Sequence, residues 1–229
     1  MKYEIIIPAY NAENTIRSLI SQIRHLKNPP DKIIVIDDGS KDDTVKIASQ
    51  MGVEVIKQGV NRGKGAALKI GFRHFIKHSP CDYLLCMDAD LQHPVSSIPD
   101  FLNYVKKYDC KLLIGNRKKS IKLMPLHRIL SNVLTSFIIS ILTKQKIKDS
   151  QCGYRLIHRN ILRKIKLYEN DFQLESEMIL RVSDNNVKIH FIDIPTIYNR
   201  QGSYINNIQV TLKFMLLIGR EIKKRMSQK

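Results

Sequence analysis

Asp88 and Asp90, separated by Ala89 and followed by Leu91-Gln92-His93-Pro94, are the residues of this 229-residue chain whose type and spacing point most directly to chemistry. Two carboxylates one residue apart at a strand end project to the same side while Ala89 points away. Like charges held that close favour a cation between them. A hard divalent ion, Mg2+ or Mn2+, held by one or two carboxylates and completed by phosphate oxygens and water, suits so sparse an oxygen set better than zinc does. Two more polar clusters follow apolar runs: Pro8-Ala9-Tyr10-Asn11-Ala12-Glu13 and Asp37-Asp38-Gly39-Ser40, with Ser40 or Asp42 also able to cap the next helix. Gly59-Val60-Asn61-Arg62-Gly63-Lys64-Gly65 invites comparison with a P-loop, but three residues rather than four precede Gly63-Lys64 and no hydroxyl follows the lysine. It is a basic loop opening a helix, where backbone N–H groups can meet an anion.

These clusters need a scaffold that brings their ends to one rim. Runs rich in Ile, Val and Leu at residues 3–7, 32–36, 53–56 and 83–87, with a fifth at 111–114, alternate with helix-length segments at 13–26, 42–50, 64–76 and 96–107. That alternation predicts an α/β protein with a mostly parallel central sheet and helices on both faces. Ligands of such sheets bind at the carboxyl ends of the strands, where all three clusters fall. No repeat or Pro/Gly/Ser linker divides the chain, so a single domain is expected over 1–229. Its first part, 1–115, carries the clusters, and its second, 116–229, is of different composition.

The difference is electrostatic. Lys and Arg number 38 against 21 Asp and Glu, a net +17. Residues 1–100 hold 13 basic and 12 acidic side chains, so nearly the whole excess lies beyond residue 100. A basic half suits a polyanion: nucleic acid, an anionic membrane face or a phosphorylated substrate. Nucleic acid has only the charge in its favour, since no recognition motif or aromatic stacking set accompanies it and the chain has no Trp. Cys81, Cys86, Cys110 and Cys152 form no Cys-x-x-Cys pair and read as reduced cytosolic thiols. No secretory signal opens the chain, and the apolar stretches at 129–142 and 208–218 fall short of the roughly 20 residues of a spanning helix. In the first, Ile129, Leu130, Val133, Leu134, Phe137, Ile138, Ile141 and Leu142 share a face opposite Ser131, Asn132, Thr135, Ser136 and Ser140. Both stretches therefore predict amphipathic helices, either packed on the core or lying on a membrane surface. Beside the second, the run from Arg220 to Arg225 would draw anionic lipid, placing the protein peripherally on the cytoplasmic membrane face.

Taken in order, Pro8-Ala9-Tyr10-Asn11, Asp37-Asp38-Gly39-Ser40, Asn61-Arg62-Gly63-Lys64-Gly65 and Asp88-Ala89-Asp90-Leu91-Gln92-His93-Pro94 resemble the family 2 glycosyltransferases of the GT-A fold. The branch is that of the dolichol-phosphate mannose and glucose synthases. The likeness continues through Gly115-Asn116-Arg117, the stretch from Asp149 to Arg155 and that from Phe172 to Met178. It implies that Pro8, Tyr10, Glu13 and Asp38 hold the nucleoside of a nucleotide-sugar donor, GDP-mannose or UDP-glucose, with Lys64 and Ala89 beside it. It also implies that Asp88, Asp90 and Gln92 hold the metal, and that Arg117, Arg128 and Ser131 bind the phosphate of a polyprenyl (dolichyl or undecaprenyl) acceptor. Asp149, Arg155 and Arg200 order the surrounding loops, with Arg155 a possible partner of Asp149. The expected catalytic set is thus Asp88, Asp90, Arg117 and Arg128. One departure concerns Arg200-Gln201-Gly202-Ser203-Tyr204, where the branch carries a loop one residue longer ending in lysine.

The acceptor expectation has a chemical side. A hydroxyl needs a base to take its proton, whereas a phosphate monoester with a second pKa near ~6 is already ionised at neutral pH. Arginine forks suit such an acceptor. If the acceptor is instead a hydroxyl of a glycan or lipid, Glu175, Glu177 and Asp149 are the available bases.

Overall fold

In the computed structural model, residues 1–118, 126–197 and 207–227 are described. Seven strands form one sheet in the order β3-β2-β1-β4-β6-β5-β7. The strands are β1 (Tyr3–Ala9), β2 (Lys32–Asp37), β3 (Glu54–Lys57), β4 (Tyr83–Cys86), β5 (Leu112–Arg117), β6 (Arg155–His158) and β7 (Ile189–Ile194). All neighbours run parallel except β6, which is antiparallel to both β4 and β5. β1 and β2 are apolar without alternation because helices cover both faces, and Ile5, Ile6, Ile7, Ile34, Val35 and Ile36 are fully buried. The predicted strands all form within a residue or two of their expected limits, except that β5 runs three residues further, to Arg117.

Helices α1 (Glu13–Arg24), α2 (Thr44–Gln50), α3 (Lys64–His78) and α4 (Ile98–Lys107) fall where the sequence places them, α4 entered through a 3-10 turn at Val95–Ser97. Beyond the predicted elements lie β6, β7, the short α6 (Arg159–Lys164) and α7 (Gln173–Asp184).

The two amphipathic segments are α5 (Leu126–Thr143) and α8 (Asn207–Met226). α5 packs with its polar side inward. Asn132, Thr135, Ser136 and Thr143 are buried, whereas Leu130, Val133, Leu134, Phe137 and Ile141 are 47–61% exposed. The inward side is held by hydrogen bonds: Ser150 N–H donates to Ser136 Oγ (3.0 Å), Ile147 N–H to Ser140 Oγ (3.0 Å) and Asn132 Nδ2 to Asp149 Oδ1 (2.6 Å), while the buried Asn132 Oδ1 accepts none. α8 buries Phe214, Leu217 and Ile218 and is held by ion pairs of Lys213 with Asp171, Arg220 with Glu169, Arg181 with Glu221 and Arg225 with Asp184. Leu212, Met215, Leu216, Ile222 and Met226 face outward. Much of the basic run at 220–225 is thus paired with the domain. No helix among the described residues is long and apolar enough to cross a membrane. All four cysteines are free and buried.

Candidate active site

The loops after β1, β2 and β4 meet at the carboxyl rim of the sheet, and backbone N–H groups tie the first two together. Asn11 N–H donates to Ser40 Oγ (3.0 Å), Ala12 N–H to Thr44 Oγ1 (2.7 Å) and Glu13 N–H to Asp42 Oδ2 (3.0 Å). The Glu13 carboxylate accepts from Asp43 N–H (3.1 Å) in return, and Asp42 also accepts from Thr44 N–H (3.0 Å) at the start of α2. The two helix starts therefore cap each other. Pro8 is buried in β1, which ends at Ala9, and Tyr10 follows it partly exposed.

Asp37 and Asp38 are both buried and both serve backbone. Asp37 accepts from the N–H groups of Gly39 (3.2 Å) and Ser40 (3.2 Å), forming the turn after β2. Asp38, expected on the nucleoside, accepts from Arg62 N–H (2.8 Å) and Gly63 N–H (3.0 Å), and from Gln58 Nε2. Burial, with the neighbouring Asp37 charge, pushes the Asp38 carboxyl above its ordinary range despite those two N–H donors. Asp38 thereby sets the entry to α3. Gly63 stands there at φ +97, a conformation that glycine adopts without a Cβ penalty.

Asp88 and Asp90 lie on a turn just after β4 rather than on the strand. Ala89 points into the core, Leu91 takes φ +63, and Asp90 Oδ1 accepts from Gln92 N–H (3.0 Å). Lys64, at the start of α3, reaches across: its Nζ lies 2.7 Å from Asp88 Oδ1 and 2.6 Å from Glu175 Oε1 in the first turn of α7. Burial alone would raise the Asp88 carboxyl, but the Lys64 ammonium brings it down to about 2, with His93 and Arg117 adding to the effect. It is ionised at neutral pH. Burial and the Asp88 charge push Asp90 the other way, above its ordinary value. The two carboxylates therefore sense one another, and a shared cation would relieve the repulsion. His93 is pushed down to about 4 by burial, so it is neutral. Its Nδ1 accepts from Asp88 N–H (3.0 Å), which leaves the ring hydrogen on Nε2.

On the other side, Arg117 at the end of β5 forms a fork with Asp149, Nε to Oδ2 at 2.8 Å and Nη2 to Oδ1 at 3.0 Å. The deeply buried Asp149 also accepts from Asn132 and from Gln151 N–H (3.1 Å). Burial would raise Asp149, but Arg117 and these donors keep it below its ordinary value. Arg117 and Asp88 are close enough for each charge to act on the other. Asp149 is therefore the partner of Arg117 rather than of Arg155. Arg155 is fully buried and donates to the carbonyls of Cys152 (2.8 Å), Ser150 (3.0 Å) and Glu175 (2.6 Å). Arg128 and Ser131 lie in the first turns of α5, Ser131 exposed. Arg200 lies outside the described residues.

No group of three or more His, Cys, Asp or Glu among the described residues is arranged to hold a metal by itself. Asp88 and Asp90 with Gln92 offer only hard oxygen ligands. That fits Mg2+ or Mn2+ completed by ligand oxygens and water, and not a zinc cage. The residues that reading the sequence left without a partner are Lys64 and Glu175, 111 positions apart, and Arg117 with Asp149.

Comparison with known proteins bears on the family and the fold. Glycosyl transferase family 2 matches residues 4–166. The UDP-N-acetylglucosamine--dolichyl-phosphate N-acetylglucosaminyltransferase of Methanococcus voltae is 29% identical over 216 residues, 85% of each chain. The dolichyl-phosphate beta-glucosyltransferase of Dictyostelium discoideum is 30% identical over 184 residues, 70% of this chain and 55% of that one. Among solved structures, glucosyl-3-phosphoglycerate synthase of Mycobacterium tuberculosis superposes with a TM-score of 0.78 in its complex with UDP, at 18% identity over 96% of this chain and 79% of that one. Its complex with Mn2+ and UDP-glucose superposes with a TM-score of 0.75, at 18% identity over 95% and 78%. The sheet order, the rim clusters and the match over 4–166 lead to one conclusion: this chain is a glycosyltransferase of the GT-A fold and belongs to glycosyl transferase family 2.

Proposed function

We propose that the protein transfers a sugar from a nucleotide-sugar to a polyprenyl phosphate with inversion at the anomeric carbon. The observation that carries this reading is the placement of Arg117: held by Asp149 along one edge, it ends β5 at the same rim of the sheet at which Asp88 and Asp90 follow β4. A cation beside the donor carboxylates suits an anionic acceptor that must approach a negatively charged donor. The two halves then divide the work, with 1–115 holding donor and metal and 116–229 holding acceptor and membrane. Tyr10 and Glu13 face the nucleoside side from the exposed loop after β1, Pro8 and Ala89 support it through the backbone of their loops, and Asp38 acts on it by shaping the Arg62-Gly63-Lys64 loop.

A divalent ion at Asp88 and Asp90 would neutralise the charge that builds on the departing diphosphate. The remaining work falls to side chains. Arg117, Arg128 and Ser131 position the acceptor phosphate, whose oxygen attacks the anomeric carbon opposite the leaving diphosphate as that carbon–oxygen bond breaks. No proton has to move, because the phosphate is already ionised. This agrees with the state of the possible bases: Glu175 is bound to Lys64, Asp149 to Arg117, and Glu177 to the N–H groups of Tyr168 (2.9 Å) and Glu169 (2.9 Å). A hydroxyl acceptor would find all three committed. For the donor, the UDP-N-acetylglucosamine of the Methanococcus relative and the UDP-glucose of the mycobacterial complex favour a UDP-sugar over GDP-mannose.

The test is incubation with labelled UDP-glucose, UDP-N-acetylglucosamine and GDP-mannose, Mn2+, and undecaprenyl or dolichyl phosphate. The expected product is a labelled lipid phosphate. Label appearing only on added glycan hydroxyls would overturn the acceptor assignment.

The outward apolar faces of α5 and α8 support a peripheral position on the cytoplasmic membrane face. Each Leu or Phe side chain moved from water into acyl chains contributes roughly 1.5–3 kcal/mol. The protein is expected to float with vesicles containing anionic lipid at low salt. The double variant Leu134→Glu, Phe137→Glu should lower the bound fraction at least about tenfold without changing the melting temperature, since both side chains are exposed. Failure of the unmodified protein to float would sink the idea.

A further inference from the structure

The ammonium of Lys64 already occupies an edge of the carboxylate proposed to bind metal. It is shared almost equally between Asp88 Oδ1 and Glu175 Oε1, and both of those side chains, like that of Lys64, are largely withdrawn from water. The place is built to be narrow. A Cβ on Gly153 would stand 2.8 Å from Lys64 Nζ, 3.0 Å from Asp88 Oδ1 and 3.1 Å from Glu175 Oε1, so only glycine lets the three charges converge. Glu175 is also held from behind, because Arg155 binds its carbonyl and ties α7 to the loop at 150–152. Nothing in the proposed transfer gives Glu175 a task.

We propose that Glu175 is the positioning residue of Lys64. It shares the ammonium with Asp88 while no divalent cation is present, and retains it at the rim once a cation takes Asp88. The charges make such an exchange economical. Asp88, Glu175 and Lys64 together carry one negative charge, so Lys64 leaves the site attractive to a divalent ion while preventing two buried carboxylates from facing each other uncompensated. When the ion arrives, Lys64 would lose one partner. Without Glu175 its hydrogen-bonded carboxylate partner would be Asp88, in direct competition with the ion, or it would swing into water. With Glu175 it stays beside the ion, where a diphosphate would meet both cations. This inference rests on the metal-site reading given above and adds to it the fate of the lysine.

The experiment uses Mn2+ alone on the full chain, with two readouts. Free Mn2+ is followed by its paramagnetic resonance signal, and the exposure of Lys64 by its rate of acetylation with a water-soluble amine reagent, read by peptide mass spectrometry against other lysines. In the unmodified protein Lys64 should stay protected with and without Mn2+. In Glu175→Gln, Mn2+ should bind about tenfold more weakly, and saturating it should speed Lys64 acetylation about tenfold. Glu175→Asp, which keeps the charge and shortens the reach, should fall between and serves if the amide variant folds poorly. Equal protection of Lys64 in Mn2+-saturated unmodified protein and Glu175→Gln would overturn the inference. Absence of Mn2+ binding by the unmodified protein, or binding that survives Asp88→Asn, would instead remove the metal-site reading itself.

Discussion

Asp88→Asn is expected to lower sugar transfer by about a thousandfold, equivalent to roughly 4 kcal/mol in the barrier, with little change in melting temperature. The asymmetry follows from the neighbours of this residue. Lys64 keeps Glu175 as its counter-charge when the Asp88 carboxylate is lost, so no buried ammonium is stranded. The peptide N–H of residue 88 keeps its bond to His93, so the turn is preserved. What disappears is the carboxylate that the Lys64 ammonium holds well below its ordinary range. Asp90→Asn, on a more exposed turn position, should cost less but still at least about a hundredfold. Initial rates with saturating lipid acceptor, and the thermal shift given by UDP with Mn2+, check both. A variant that keeps its rate while losing the shift would separate nucleotide binding from catalysis and contradict the assignment.

Arg155→Met is expected to be the most destabilising single change at the site. The guanidinium is fully buried and reaches three carbonyls from two separate segments. Burial lowers its pKa from the usual arginine value, which measures how unfavourable the position would be without those acceptors. Methionine fills similar volume but takes this donor from the buried carbonyls of Ser150 and Cys152 and cuts the tie to the Glu175 carbonyl in α7, at a cost of about 3–5 kcal/mol. For a chain of this size that corresponds to a fall of about 10 °C in melting temperature. Lysine should restore little of it, because one ammonium on a flexible stem does not reproduce a planar fork. Thermal melting by circular dichroism checks the prediction, and a shift under about 3 °C would contradict it.

Arg155 also explains why β6 was not legible in the sequence although β4 and β5 on either side of it were. β1, β2 and β4 announce themselves as apolar runs, and the helices between them have ordinary lengths. β6 is four residues with arginine at its head, in the middle of a sheet, and an arginine read in isolation belongs on a surface. Only carbonyls supplied by Ser150, Cys152 and Glu175 make the position tenable, and those are tertiary facts. α7 hid for a similar reason, since it buries Gln173, Glu175 and Glu177. For α5 the periodicity was visible but its direction was not: an apolar stripe says that one face differs, not which face meets the core. At the rim the residue types were readable and the pairings were not. Asp38 could be recognised as a ligand-grade carboxylate, yet the N–H groups of Arg62 and Gly63 that occupy it come from a loop more than twenty positions away.

The antiparallel strand has a further consequence, for the order in which the protein is made. β4 and β5 are separated in the sheet by β6, which the ribosome delivers last of the three. The block β3-β2-β1-β4 can assemble as a parallel sheet early, leaving β4 an open edge. β5 has no partner in that block and must wait until His158 has emerged before β6 can bridge them. Long-range pairing of this kind slows folding, because a long loop has to close before any contact rewards it. Asp88 and Asp90 sit at the end of that waiting edge, so the chemistry of the rim is complete only when the last hinge of the sheet closes, and chains interrupted before residue 155 would display an apolar edge strand open to pairing with other chains.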